Sequence, residues 1–287
     1  MRRDLENLFV TVDDISVSYT DSGNEKDYPV IFIHGFPLNK SMWENQRNEF
    51  WNKYRVITYD LRGYGNSESG FKKISIALFA TDLLHFMDAL GLNKVILCGF
   101  SMGGYIALQA MEKFPERIAG LALANTQCQA DTQKAKEKRI KTCDIIRQKG
   151  LELFADELLK GFFYTGSEKE NSKSILEIRR VIEGTSVEVV CDSLMALANR
   201  KETCQGLDRI DVPTLIMAGK EDTVIPLEKS EFMKTKIKGA TLHIISDAAH
   251  LSNVDNPLEF NRHLSQFLQQ VKLQQSHLLI TDRDGYK

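Results

Sequence analysis

The sequence predicts an α/β fold in which a mostly parallel sheet is covered by helices on both faces. Short runs of apolar residues alternate with helical patterns along most of the chain. A run that is apolar throughout, rather than at every second residue, is typical of a strand buried on both faces. A length of 287 residues is enough for a large core and leaves room for an insertion.

The composition is ordinary for a soluble globular protein, with 43% apolar and 26% charged residues. A net charge of −2 indicates no preference for nucleic acid or for an anionic membrane. Since we find neither a signal sequence nor an apolar stretch of about 18 residues, we expect a cytoplasmic protein without a membrane partner. The five cysteines lack metal-type spacing, and we expect all of them to be reduced thiols: Cys98, Cys128, Cys143, Cys191 and Cys204.

The predicted sheet begins with a hairpin formed by residues 8–12 and 15–20. Six further strands follow along the chain, at residues 30–33, 55–59, 95–98, 121–124, 214–218 and 241–245. Helices are expected between them at residues 40–51, from the N-cap Ser75 to Gly91, from the turn after Ser101 to Pro115, and at residues 257–271.

Residues 127–205 interrupt this alternation, because they contain helical patterns and no convincing strand. We interpret this segment, called the cap segment below, as a helical cap inserted into a core made of residues 1–126 and 206–273. Residues 274–287 form a tail to which we assign no role. Four helices are predicted in the cap segment, at residues 132–148, 151–160, 170–183 and 186–199.

The strongest candidate for a reactive side chain is Ser101. Residues 99–104 read Gly-Phe-Ser-Met-Gly-Gly and join the strand at residues 95–98 to a helix. This is the G-x-S-x-G pattern of a nucleophile at a sharp strand-to-helix turn. Strand and helix pass so close together there that a Cβ atom at Gly99 or Gly103 would crowd them.

A serine nucleophile needs a base, and the base needs a carboxylate to orient it. His250 follows the last strand, so we expect it beside Ser101 at the edge of the sheet where the strand ends gather. Asp222 follows the strand at residues 214–218 and is our preferred acid, with Glu221 as the alternative.

Two backbone N–H groups are expected to face the same point and bind an oxyanion. One belongs to Met102, at the start of the helix that follows Ser101. The other belongs to Phe36, in the His-Gly-Phe-Pro turn of residues 34–37 after the first central strand.

Five motifs occur in an order that resembles the α/β-hydrolase superfamily, and the resemblance covers roughly residues 8–271. It implies an eight-stranded sheet, a serine nucleophile, and Ser101, Asp222 and His250 as the catalytic residues. Within the superfamily, the chain is similar both to the enol-lactonase group and to the esterase and perhydrolase group. The motifs are HGFP at residues 34–37, DLRGYGNS at 60–67, GFSMGG at 99–104, GKEDTVIP at 219–226 and AHLSNVDNP at 249–257.

The leading hypothesis is therefore a serine hydrolase that cleaves a small carboxylic ester or lactone through an acyl-enzyme. Related acyl chemistries stay open, namely thioester, perhydrolytic and carbon–carbon bond cleavage, as does a ligand-binding or signalling protein without turnover. We expect no metal or organic cofactor and leave the oligomeric state open. Phe163 and Met195 are the preferred pocket residues of the cap segment. Arg179 and Arg180 could meet a substrate carboxylate, but we expect them to lie on a solvated helix face.

Overall fold

The computed structural model describes residues 3–166 and 172–284. Its centre is an eight-stranded sheet with the strand order β1-β2-β4-β3-β5-β6-β7-β8. Strand β2 is antiparallel to β1 and to β4, and all other neighbours are parallel. The strands are β1 Arg3–Val12, β2 Ile15–Gly23, β3 Pro29–Ile33, β4 Arg55–Tyr59, β5 Val95–Phe100, β6 Ile118–Ala124, β7 Thr214–Gly219 and β8 Thr241–Ile245. The predicted mostly parallel sheet of eight strands is confirmed.

Hydrophobic clusters cover both faces of this sheet. In β3, Ile31 belongs to one cluster and the adjacent Phe32 to the other, because successive side chains of a strand point to opposite faces. The helices outside the cap segment are α1 Glu44–Phe50, α2 Ile76–Ala89, α3 Met102–Lys113, α8 Leu227–Lys236, α9 Ser252–Asp255 and α10 Pro257–Asp284. Helices α2 and α3 pack with the first cluster and α10 with the second, as the apolar faces of these helices require.

Three helical segments differ from the expectations in their type, length or existence. The helix predicted at residues 40–51 consists of a 3-10 turn, Lys40–Trp43, followed by α1. Helix α10 runs past the predicted end at residue 271 and includes residues that we had assigned to the tail. Helix α8 was not predicted, because its polar sequence carries little helical periodicity in its apolar residues.

The cap segment contains helices between β6 and β7, as predicted. They are α4 Gln133–Lys149, α5 Glu152–Phe162, α6 Ser172–Glu183 and α7 Val187–Ala198. The predicted start of the third helix at residue 170 lies outside the described residues. Helices α4 and α7 pack against each other through the buried Cys143 and Cys191, which connects the cap segment to the same hydrophobic cluster as α2 and α3.

The expectation of five reduced cysteines is wrong. Cys128 and Cys204 form a disulfide, whereas Cys98, Cys143 and Cys191 are free and buried. The bonded pair is separated by 76 residues, so no local spacing could have revealed it. It joins the two ends of the cap segment, and the cysteine count therefore no longer argues for a reducing compartment.

Candidate active site

Ser101 lies in a tight turn between β5 and α3. Its backbone has φ 50° and ψ −113°, a region that costs a residue with a Cβ about 1–3 kcal/mol. The approach of strand and helix is as close as predicted. A Cβ on Gly99 would lie 2.4 Å from the Gly103 carbonyl oxygen, and a Cβ on Gly103 would lie 2.2 Å from the Ile33 carbonyl oxygen. Only glycine at these two positions lets the turn present the serine at the sheet edge.

His250 meets Ser101 from the loop that follows β8. Its Nε2 atom lies 3.0 Å from the Ser101 Oγ atom, and its side chain is only 1% exposed. The ring lies between two aromatic side chains, with ring centroids 5.0 Å from Phe100 and 5.4 Å from Phe162. These contacts restrict the orientation of the imidazole, so the Nε2 atom stays directed at the serine.

Asp222 completes this hydrogen-bonded chain. Its Oδ2 atom lies 2.9 Å from the Nδ1 atom of His250, and its Oδ1 atom accepts hydrogen bonds from the N–H groups of Val224 and Ile225 at 2.8 and 2.9 Å. Burial alone would raise the pKa of Asp222, but the His250 ring and the donated hydrogen bonds outweigh it and lower the pKa below the ordinary 3.8. The carboxylate is thus held ionised at neutral pH, and Glu221 is exposed beside it.

Asn125 is a member of this network that the sequence analysis did not assign. It follows β6 with φ 47°, and its side-chain Nδ2 donates to Asp222 Oδ2 at 2.8 Å. The Ser252 hydroxyl in turn donates to the Asn125 side-chain oxygen at 2.5 Å. The signal available in the sequence was position alone, since Asn125 is a polar residue at the end of a strand on the same edge as Ser101.

The predicted oxyanion donors, Phe36 and Met102, both line the cavity that contains Ser101. Met102 is the first residue of α3, where a helix N–H has no acceptor within the helix. The turn before Phe36 is held by the buried His34, whose Nδ1–H donates to the Gly35 carbonyl at 2.9 Å while its Nε2 accepts from the Leu61 N–H at 3.0 Å. Burial lowers the pKa of His34 to about 4, so this ring is neutral at neutral pH.

Ser101 and His250 open into a cavity of about 520 Å³ between the sheet edge and the cap segment. The two residues that we predicted for the pocket, Phe163 and Met195, do not line this cavity, but the residue before each of them does. Phe162 and Leu194 line the cavity, whereas Phe163 packs into a hydrophobic cluster and Met195 lines a separate cavity beside Ser75. Apolar side chains lining the cavity include Phe36, Tyr105, Phe154, Leu158, Leu197, Val224 and Ile225.

Arg179 and Arg180, which we considered as partners for a substrate carboxylate, do not line this cavity. Arg179 pairs with Asp156 of α5 and with Glu183 of its own helix, and Arg180 is exposed. Among residues 3–166 and 172–284, no group of three or more His, Cys, Asp or Glu is placed to hold a metal ion. In the same part of the chain, no helix combines the length and apolarity needed to cross a membrane.

The arrangement of protons follows from the hydrogen bonds. An ionised Asp222 can only accept, so the Nδ1 atom of His250 must carry a proton and donate it. The Nε2 atom then has a lone pair, which accepts the hydrogen bond of the Ser101 hydroxyl. A serine in this position can transfer its proton to the imidazole while its oxygen attacks an electrophilic carbon in the cavity.

Comparison with known proteins gives a consistent result. A family model described as alpha/beta hydrolase fold matches residues 28–257. The chain is 30% identical over 252 residues to 3-oxoadipate enol-lactonase 2 of Acinetobacter baylyi, covering 88% of this chain and 92% of the relative.

Solved esterase structures are also similar. That of a thermophilic esterase from Thermogutta terrifontis has a TM-score of 0.86 and 31% identity, with coverage of 94% of this chain and 99% of the other. That of an esterase from Exiguobacterium antarcticum has a TM-score of 0.84 and 27% identity, with coverage of 92% and 99%. The sheet order, the turn at Ser101 and these matches lead to one conclusion: the chain belongs to the α/β-hydrolase family.

Proposed function

We infer that the protein is a serine hydrolase that cleaves a small carboxylic ester or lactone. The observation that carries this proposal is the hydrogen-bonded chain from Ser101 through His250 to Asp222, with Nε2–Oγ and Nδ1–Oδ2 distances of 3.0 and 2.9 Å. The similarity to an enol-lactonase and to esterases supports the same class of bond.

In the first half of the reaction, the Ser101 oxygen attacks the carbonyl carbon while its proton passes to His250 Nε2. The N–H groups of Phe36 and Met102 stabilise the negative oxygen of the tetrahedral intermediate. Asp222 stabilises the imidazolium and keeps the Nδ1 proton in place. His250 then donates its proton to the leaving alkoxide, and an ester of Ser101 with the acyl group is left.

In the second half, water replaces the alcohol. His250 accepts a proton from the water, whose oxygen attacks the acyl carbon, and a second tetrahedral intermediate forms. Its collapse returns the proton to the Ser101 oxygen and releases the carboxylic acid. With a lactone, the alcohol and the acid belong to the same molecule, so the product is a single hydroxy acid, or the keto acid where the released alcohol is an enol.

The test is steady-state hydrolysis of a panel of acyl esters, thioesters and lactones by the wild type and by Ser101→Ala. The matched control is Ser186→Ala, because Ser186 is exposed at the start of α7 and does not line the cavity. We expect turnover of at least one ester or lactone by the wild type and the control, and a loss of about a thousandfold or more in Ser101→Ala. Stoichiometric binding without product release, or full activity of Ser101→Ala, would contradict the proposal.

A further inference from the structure

The cavity that contains Ser101 is apolar around the serine and charged on the side of the cap segment. Its charged lining residues are Asp131, Lys138, Arg139 and Glu157. Two of these are at the rim, since Lys138 is exposed and Glu157 is an exposed partner of Lys160. The remaining two, Asp131 and Arg139, are much less exposed, with side-chain exposures of 5% and 25%.

Asp131 is shared between two guanidinium groups. Its Oδ2 atom lies 2.5 Å from Arg139 Nε, and its Oδ1 atom lies 2.5 Å from Arg200 Nη1. Burial of Asp131 would raise its pKa, but the two arginines outweigh burial and lower it, so the carboxyl group is ionised. One negative charge therefore faces two positive charges, and the trio carries a net charge of +1.

The two arginines differ in the number of residues that accept their hydrogen bonds. The side chain of Arg200 is 2% exposed, donates also to the carbonyl oxygens of Leu197 and Gln129 at 2.8 and 2.9 Å, and lies 4.4 Å above the ring of Tyr105. For Arg139, Asp131 is the one hydrogen-bond acceptor found among the described residues. Arg139 is the arginine of the two that lines the cavity, and the part of its guanidinium that does not meet Asp131 is left to bind a further acceptor.

A partly buried guanidinium with unused donors favours an anionic ligand, and its fork matches a carboxylate in particular. We propose that the substrate carries a carboxylate that binds Arg139 while its ester or lactone carbonyl lies at Ser101. This inference rests on the proposed function and narrows it to esters or lactones that carry a free carboxylate. Arg139 is the specificity-determining residue, and Asp131 with Arg200 holds it in place.

The test uses pairs of nitrophenyl esters of equal chain length. One member is the half ester of a straight-chain dicarboxylic acid, and the other is the neutral ester of the corresponding monocarboxylic acid. We expect the wild type to prefer the half ester at one chain length. In Arg139→Gln, kcat/KM for that half ester should fall about tenfold to a hundredfold, mainly through KM, because a hydrogen bond to a charged group contributes about 1.5–3 kcal/mol. Activity on the neutral ester should fall much less than activity on the half ester, so the ratio of the two kcat/KM values should drop.

Two variants separate binding from folding. Arg139→Lys keeps the positive charge but not the fork, and it should restore part of the preference. Arg147→Gln removes a positive charge from the exposed side of the same helix and should leave the preference unchanged. Loss of activity on both esters of a pair in Arg139→Gln would show a structural role of Arg139 and overturn the inference.

Failure of the inference and failure of the proposed function give different results. If neutral esters are hydrolysed but the wild type shows no preference for half esters, or if Arg139→Gln leaves the preference unchanged, the inference is wrong and the proposed function stands. If the wild type hydrolyses no ester or lactone at all, both are wrong.

Discussion

The substitution Asp222→Asn tests the proton arrangement of the site, since it changes one atom of the side chain. Every partner of the Asp222 carboxylate is a donor: the N–H groups of Val224 and Ile225 at Oδ1, and His250 Nδ1 and Asn125 Nδ2 at Oδ2. An amide has only one oxygen. If that oxygen stays with the two backbone N–H groups, the amide NH2 faces His250, whose Nδ1 must then accept.

The consequence for catalysis is a reversed tautomer. The imidazole proton moves to Nε2, which faces Ser101 at 3.0 Å and can no longer accept the serine proton. The equivalent substitution in a serine protease lowers kcat about 10⁴-fold. We expect kcat of Asp222→Asn to fall about 10³- to 10⁴-fold, which at about 1.4 kcal/mol per factor of ten raises the barrier by about 4–5.5 kcal/mol. KM should change little, because Asp222 does not line the cavity.

The assay is steady-state hydrolysis of the best ester from the panel, with circular dichroism to establish that the variant is folded. Glu221→Gln is the matched control, because Glu221 is the exposed neighbour that the sequence left as the alternative acid. It should keep its activity within about twofold. A folded Asp222→Asn within tenfold of the wild type, or a larger loss in Glu221→Gln, would refute this reasoning.

Three further predictions concern stability. Burial lowers the pKa of His34 from 6.5 to about 4, so between these two pH values the His34 side chain binds a proton in the unfolded chain but not in the folded one. The free energy of unfolding should therefore fall by about 3 kcal/mol as the pH drops through that range. Denaturant titrations in a pH series should show a weaker decline in His34→Gln, and equal slopes would contradict the assignment.

The Cys128–Cys204 disulfide closes a long loop, for which the chain-entropy model gives at most about 4–5 kcal/mol, so replacing both residues by serine should lower the free energy of unfolding by about 2–4 kcal/mol. A reducing agent should lower the melting temperature of the wild type but not of that variant, and an unchanged wild type would show that the bond is absent in solution. Gly103→Ala should lower the free energy of unfolding by more than about 3 kcal/mol or prevent folding, because the added Cβ would clash with the Ile33 carbonyl oxygen. A variant with the melting temperature of the wild type would contradict the close approach of α3 and β3.

Local patterns were enough to predict the sheet and the turn that holds Ser101, the proposed nucleophile. The glycine pattern around Ser101 can be recognised in the sequence because the close packing of β5, α3 and β3 excludes a Cβ two residues before and two residues after the serine. The loops with Asp222 and His250 were found because the ends of parallel strands meet at one edge. The choice between Asp222 and Glu221 was not decided by position, since adjacent residues in a loop differ only in the direction of their side chains.

The features that the sequence did not predict depend on how distant segments meet in the folded chain. The bond between Cys128 and Cys204 joins residues on either side of the cap segment, and nothing in their local sequence reports that proximity. Phe162 rather than Phe163 lines the cavity because α5 ends at Phe162 and the backbone of Phe163 is extended, which directs its side chain elsewhere. Asn125 was missed because its partner Asp222 is distant in sequence. Arg139 was not singled out because the polar sequence of α4 does not show which of its charged residues faces the cavity.

The central claim is that Ser101 is a nucleophile, and labelling with a serine-directed phosphonylating reagent tests it most directly. A phosphonate mimics the tetrahedral intermediate, so its oxygen should be held by the N–H groups of Phe36 and Met102 after attack by the serine. We predict that one equivalent of reagent is incorporated per chain, that hydrolysis is lost in proportion, and that mass spectrometry of the peptides places the adduct on Ser101. Labelling at another serine, or no labelling of a folded and active protein, would contradict the account.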